Sequence, residues 1–223
     1  PVTIFQVRLT SRMLAETVQQ YILSAYNIER SLAVFFEDVR GFRQLQRRTG
    51  LLISGSFALQ FLSRVTYSEA DLDLYLPMHG RQEVAAWLQE EGYQFRPSES
   101  QAPDAHSVLS GEEHGAANGD YHYPSNGIFA VVSFQKPTTA GERQAVVQLI
   151  VAWRTPMEII LGFHSTCVLN VITADTAYAM YPRATFEDMN NLVLVDTTSQ
   201  TAALAKYVRR GWTLIRELHF PDF

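Results

Sequence analysis

The sequence predicts an α+β fold: a small mixed β-sheet with helices packed on one side and extra N- and C-terminal helices. Three observations in its 223 residues predict it. Two short apolar runs, residues 51–54 and 72–76, flank a helix-like segment from Phe57 to Leu62, which makes a strand–helix–strand unit. Two longer runs rich in β-branched residues, 128–136 and 143–152, follow it as further strands. Apolar residues at helical spacing mark both ends of the chain.

Taken in order, residues 1–10 carry no clear signal and read as a short arm. Ser11 is placed to cap a helix in which Met13, Leu14, Val18, Tyr21 and Ile22 share a face. A second helical run begins near Asn27 and aligns Leu32, Phe35, Phe36, Val39 and Phe42. Gly50, after Arg47 and Arg48, stops it. Such aromatic stripes report core packing in preference to a ligand box. After the strand–helix–strand unit, residues 81–91 form an amphipathic helix ended by Gly92. Residues 97–127 lose all periodicity and read as one long loop, a lid or insertion. Its histidines His106, His114 and His122 are too irregularly spaced for a zinc site and read as solvated.

Residues 137–142 connect the two long strands as a hairpin. Thr155-Pro156-Met157-Glu158 has the form of a capping box and opens a short helix ending near Gly162. Residues 166–173 read as a strand, and Thr173-Ala174-Asp175 as the start of a helix that Pro182 limits. A last helix, begun by Ser199 or Thr201, runs through Leu204, Tyr207 and Val208 to Gly211. No repeat or linker divides the chain, so it reads as one domain over 1–223, with a helical N-terminal extension over 1–50.

Composition narrows the function classes. Apolar residues make up 47% and charged residues 18%, which describes a globular chain with a generous core. A formal net charge of −5 argues against long nucleic acid as a partner, because phosphate neutralisation needs a basic face. No run of 18 apolar residues predicts a membrane span and no basic-then-apolar leader opens the sequence. The single cysteine, Cys167, sits in an apolar run and reads as a buried thiol in a reducing compartment. The expected location is intracellular, cytoplasmic or nuclear.

The chemistry concentrates in Gly55-Ser56 and Asp71-Leu72-Asp73. Side chains two apart on a strand share a face, so Asp71 and Asp73 project together while Leu72 and Leu74 enter the core. Paired carboxylates repel unless a cation lies between them, and Mg²⁺ takes one or two carboxylates together with substrate phosphates. Gly55 permits close backbone approach, and Ser56 at a helix N-terminus is suited to a phosphate.

On these residues the sequence resembles the polymerase-β-type nucleotidyltransferase superfamily. Phe163-His164-Ser165-Thr166 and the run from Lys206 to Trp212 extend the resemblance to a little-characterised fungal branch of it. The resemblance implies Mg²⁺ (or Mn²⁺) on Asp71 and Asp73, a nucleoside triphosphate held by Gly55, Ser56 and Lys206, and transfer of a nucleoside monophosphate to a hydroxyl. The acceptor would be a protein, a small molecule or an RNA end. A third carboxylate is expected on a later strand, and there this sequence has Gln148, an amide that carries no charge and accepts no proton. Glu142 and Asp175 are candidate substitutes for it. Three catalytic-site residues, Asp71, Asp73 and Gln148, follow from this reading. Its alternative is a nucleotide-binding pseudoenzyme or interaction scaffold. A Ser/His/Asp hydrolase around His164-Ser165 lacks a nucleophile elbow. Arg209 and Arg210 read as charges that offset a helix dipole.

Overall fold

A computed structural model describes residues 2–67, 71–111, 126–137, 144–195 and 200–218. Among them lies a seven-stranded mixed sheet, in the order β3-β4-β5-β2-β1-β6-β7. Its strands are β1 (Leu52–Ser54), β2 (Leu72–Pro77), β3 (Gln94–Arg96), β4 (Ile128–Gln135), β5 (Val146–Ala152), β6 (Asn170–Ile172) and β7 (Ala177–Ala179). The β2–β5 pair is parallel and the other neighbours are antiparallel. The expected α+β class and mixed sheet are what the chain adopts.

Alternation along β2 divides the sheet into two faces. Leu72, Leu74 and Leu76 are wholly buried on one face, with Val147, Leu149 and Val151 of β5 beside them. The N-terminal helices are α1 (Val2–Arg8), α2 (Arg12–Ala25), α3 (Ile28–Leu32) and α4 (Val39–Thr49); of these, α3 and α4 bring Leu32, Phe42 and Leu45 into the main core on that face, where Phe36 stacks on Phe42 at 4.4 Å. Helix α6 (Arg81–Glu90) adds Val84 and Leu88. On the opposite face Tyr75 and Ile150 meet Ile159 and Ile160 of α8 (Pro156–Leu161). Each of these fully buried aliphatic side chains contributes about 1.5–3 kcal/mol by leaving water.

Local signals hold at many ends. Ser11 Oγ accepts from the Leu14 amide, and Thr155 Oγ1 accepts from the Glu158 amide. Gly50 ends α4 in the left-handed region at φ +71°. The last helix, α10 (Thr201–Arg209), begins at Thr201, and Ser199 lies outside the described residues, as do residues 138–143 of the expected hairpin.

Several expectations are corrected. Residues 1–10 contain α1. The run from Asn27 is two helices, because Asp38 Oδ1 accepts from the Gly41 amide and starts α4 afresh after Phe36. The 97–127 segment is not featureless: Asp104 caps α7 (Ala105–Ser110) by accepting from the Ser107 amide. Residues 166–168 are a 3-10 turn, and strand begins only at Asn170. Thr173 does not start a helix. Its hydroxyl accepts from the Asp175 and Thr176 amides, closing the tight turn between β6 and β7. Pro182 opens α9 (Pro182–Phe186) where a helix limit was expected, as a missing N–H permits at a first turn. A separate parallel pair, β8 (Asn190–Leu192) with β9 (Thr213–Ile215), was not anticipated.

Candidate active site

Strand β1 runs directly into α5 (Gly55–Ser63), and the turn between them is tightly determined. Ser54, wholly buried, donates its hydroxyl to the Asn170 carbonyl at 2.6 Å and so does not cap the helix. The first amides of α5 are therefore not satisfied by that side chain, the usual condition for an anion to dock there. Gly55 sits at φ +66°, and a Cβ on it would lie 2.5 Å from Asp73 Oδ2. Glycine is required here twice over, by backbone conformation and by space.

Asp73 is Cα-paired with Ser54 on one side and with Gln148 on the other. It faces away from the leucine core into a cleft of about 610 Å³. Gly55, Ser56, Asp71, Asp73 and Lys206 all line this cleft. Gln148 is the exception: it is partly buried beside Asp73 in register but does not line the cleft. Burial pushes the Asp73 carboxyl up to about 7, the charge of Asp71 adds to the rise, and Lys206 opposes it. Two carboxylates lining one cleft form a hard-oxygen donor pair suited to Mg²⁺ or Mn²⁺. Among the described residues no group of three or more His, Cys, Asp or Glu side chains is gathered to hold a metal. Asp71 and Asp73 are thus the pair that could hold one, with substrate oxygens completing its shell.

The rest of the lining comes from Tyr75 of β2, from Asn126 and Ile128, and from the C-terminal third. Tyr75, Ile150 and Ile159 give an apolar floor, and Phe163 lies against Tyr75 with ring centres 5.6 Å apart. His164 lines the cleft with its Nδ1 2.9 Å from Ser165 Oγ, and burial lowers its proton affinity, so the imidazole is neutral near pH 7. Its carbonyl accepts from the amides of Leu194 and Val195, which fixes the backbone beneath the ring. Tyr207 meets the imidazole edge-on at 6.0 Å.

Sequence reasoning missed three polar side chains in this cleft, Asn126, Glu158 and Gln200. The capping-box pattern had accounted for Glu158 without saying where its carboxylate goes. Asp175 does not line the cleft. It pairs with Arg47 of α4. Glu142, His114 and His122 lie outside the described residues, and His106 is an exposed side chain beside Gln82. Arg209 is exposed, whereas the Arg210 guanidinium covers the Tyr67 ring at 3.8 Å. Cys167 is buried, and its thiol is pushed up to about 12 by that burial, which leaves it protonated and unreactive.

No protein-family model matches the sequence, and no curated protein matches it. Among solved structures, the apo form of a CCA-adding enzyme is similar, with a TM-score of 0.47 and 11% identity. That superposition covers 84% of this chain and 42% of the CCA-adding enzyme, so the chain spans less than half of that protein's length.

Proposed function

We propose that the cleft transfers a nucleoside monophosphate from a nucleoside triphosphate to a hydroxyl acceptor. The observation that carries this reading is the meeting of Asp73 with the start of α5. A carboxylate pair suited to a divalent metal and a helix N-terminus suited to phosphate share one small cleft with Lys206. The likeness to a fungal branch of the superfamily rests on residues 163–166 and 206–212 alone.

In this reading Asp71 and Asp73 hold Mg²⁺ or Mn²⁺, which supplies charge stabilisation at the reacting phosphate. The amides of Gly55 and Ser56 donate to triphosphate oxygens, and Lys206 neutralises charge that builds on the pyrophosphate. The acceptor oxygen forms a bond to the α-phosphorus as the bond to the departing pyrophosphate breaks, and the hydroxyl proton must pass to a base. Gln148 cannot take it, being an amide. The apolar floor of Tyr75, Ile150 and Ile159 limits water around the α-phosphate. A protein hydroxyl or a small molecule suits the net charge of −5 better than an RNA end. Among the described residues no helix is long and apolar enough to cross a membrane. An intracellular setting follows from reading Cys167 as a reduced thiol.

Gln148 beside Asp73 favours one second reading, a nucleotide-binding protein with little or no turnover. Calorimetric titration with each nucleoside triphosphate, with and without Mg²⁺, tests binding, and incubation with α-labelled triphosphate and cell extract tests transfer. Metal-dependent binding that vanishes in Asp73→Ala, with label transferred, supports the enzyme. The same binding without transfer supports the second reading, and no binding refutes both.

A further inference from the structure

A second cavity, of about 540 Å³, lies on another face of α5 and shares no lining residue with the cleft. Phe57, Gln60 and Phe61, at the three- and four-residue spacing of one face of α5, form one wall with Arg64, which follows the end of the helix. Helices α2 and α3 form the others, with Tyr21 and Arg30 among them. We propose that this cavity binds a planar, negatively charged small molecule, with its ring beside Phe57 and Phe61 and its anionic group between Arg30 and Arg64.

Three features point to that ligand class. The aromatic wall is rigid: Phe57 meets Phe35 edge-on at 5.7 Å, and Phe61 meets Tyr26 edge-on at 5.9 Å. The Arg64 guanidinium is held near two rings, 5.7 Å from the centre of Tyr21 and 5.8 Å from that of Tyr26. Among the described residues neither Arg30 nor Arg64 forms an ion pair with a carboxylate, whereas Arg47 and Arg48 both do. Two guanidinium groups without a carboxylate partner, lining one cavity with an aromatic wall, suit a carboxylate or phosphate joined to a flat ring. The volume falls in the range of small-molecule pockets, enough for a ring system and too little for a helix.

The site stands whether or not the cleft transfers nucleotides, although α5 is common to both. Gln60, in the cavity wall, donates its amide to the Ser56 carbonyl at 3.2 Å, and Ser56 lines the cleft.

The chemistry has two sources, a nucleoside monophosphate or an aromatic acid, and titration separates them. Asp73→Ala/Lys206→Ala protein, in which the cleft is silenced, is titrated with adenosine monophosphate, 1-naphthoate, adenosine and inorganic phosphate. Chemical shifts are followed by NMR. At least one planar anion should saturate the protein, with adenosine and inorganic phosphate at least about tenfold weaker. Arg30→Gln and Arg64→Asn should each weaken it by about tenfold to a hundredfold, the loss of one charge-assisted contact. Asparagine is used at Arg64 because φ is +58° there, a region asparagine tolerates. Saturation by the nucleotide alone identifies a mononucleotide site, and by naphthoate alone an aromatic-acid site. Failure of both to saturate by about 10 mM overturns the proposal. So does binding that survives both arginine substitutions in folded protein. If either variant does not fold, cross-relaxation from the bound ring to the Phe57 and Phe61 protons decides, and its absence overturns the proposal.

Discussion

Gly55 stands so near Asp73 that a single methyl group on it would come within 2.5 Å of Oδ2. The start of α5, proposed to hold phosphate, and the Asp73 carboxylate, proposed to hold metal, therefore leave no room for a side chain between them. Gly55→Ala should therefore do two things. The positive φ costs about 1–2 kcal/mol of stability, and the displaced Asp73 should weaken Mg²⁺-dependent triphosphate binding by more than about tenfold. Thermal unfolding and calorimetry separate the two effects, and unchanged binding in folded Gly55→Ala protein would refute the coupling.

The pH dependence of stability follows from Asp73. Its carboxyl titrates near 7 when folded, against an ordinary value of 3.8. Between those values the folded chain keeps a proton that the unfolded chain has lost, so stability falls as pH rises from about 4 to about 7 and levels off above. Asp73→Asn should remove this decline and, at pH 8 without metal, raise stability by at least about 1 kcal/mol. Added Mg²⁺ should stabilise the parent protein above pH 7 and leave Asp73→Asn unaffected. Urea midpoints from pH 4 to 9 measure all of this, and parallel profiles for the two proteins would disprove it.

Position 148 offers a gain-of-function test. A carboxylate in register beside Asp73 would add a third negative charge to the pair. In Gln148→Asp, Mg²⁺ affinity should rise by about tenfold to a hundredfold, and stability in metal-free buffer should drop. If label transfer occurs in the parent, it should quicken as well. Metal affinity unchanged in Gln148→Asp would mean that this neighbour does not reach the donor pair.

Leu74 measures how far the site depends on its backing. It is wholly buried between Asp73 and Tyr75, on the core side of β2. Leu74→Ala should cost about 2–5 kcal/mol, a cavity in the centre of the sheet. Chemical denaturation should show the lower midpoint. A loss under about 1 kcal/mol would place β2 outside the cooperative core.

What could be read without coordinates was local. The strand–helix–strand unit, the outward pair Asp71 and Asp73, and the caps at Ser11 and Thr155 all depend on residues within a few positions of each other. Dihedral preference, side-chain alternation and capping act over that range. Where the reading failed, the missing information was non-local. Thr173-Ala174-Asp175 has the composition of a helix start, yet it closes a hairpin because β6, at Ile172, pairs with Ile53 of β1. Three-residue strands such as β7, β8 and β9 carry too few side chains to show a period.

The sequence alone determined which groups carry charge, where Gly55 allows a backbone turn, and that Asp71 and Asp73 share a face. Only the tertiary structure decided their company. It set Gln148 in register beside Asp73, moved Asp175 away to Arg47, and brought Glu158, His164 and Lys206 from the C-terminal third into one cleft. The physical reason is range. Backbone sterics and capping act between neighbours in the chain, whereas burial of Tyr75 against Ile159 and Ile160, and of Leu59 with Tyr207 and Trp212, gathers segments far apart in sequence, and whichever polar side chains they bear come with them.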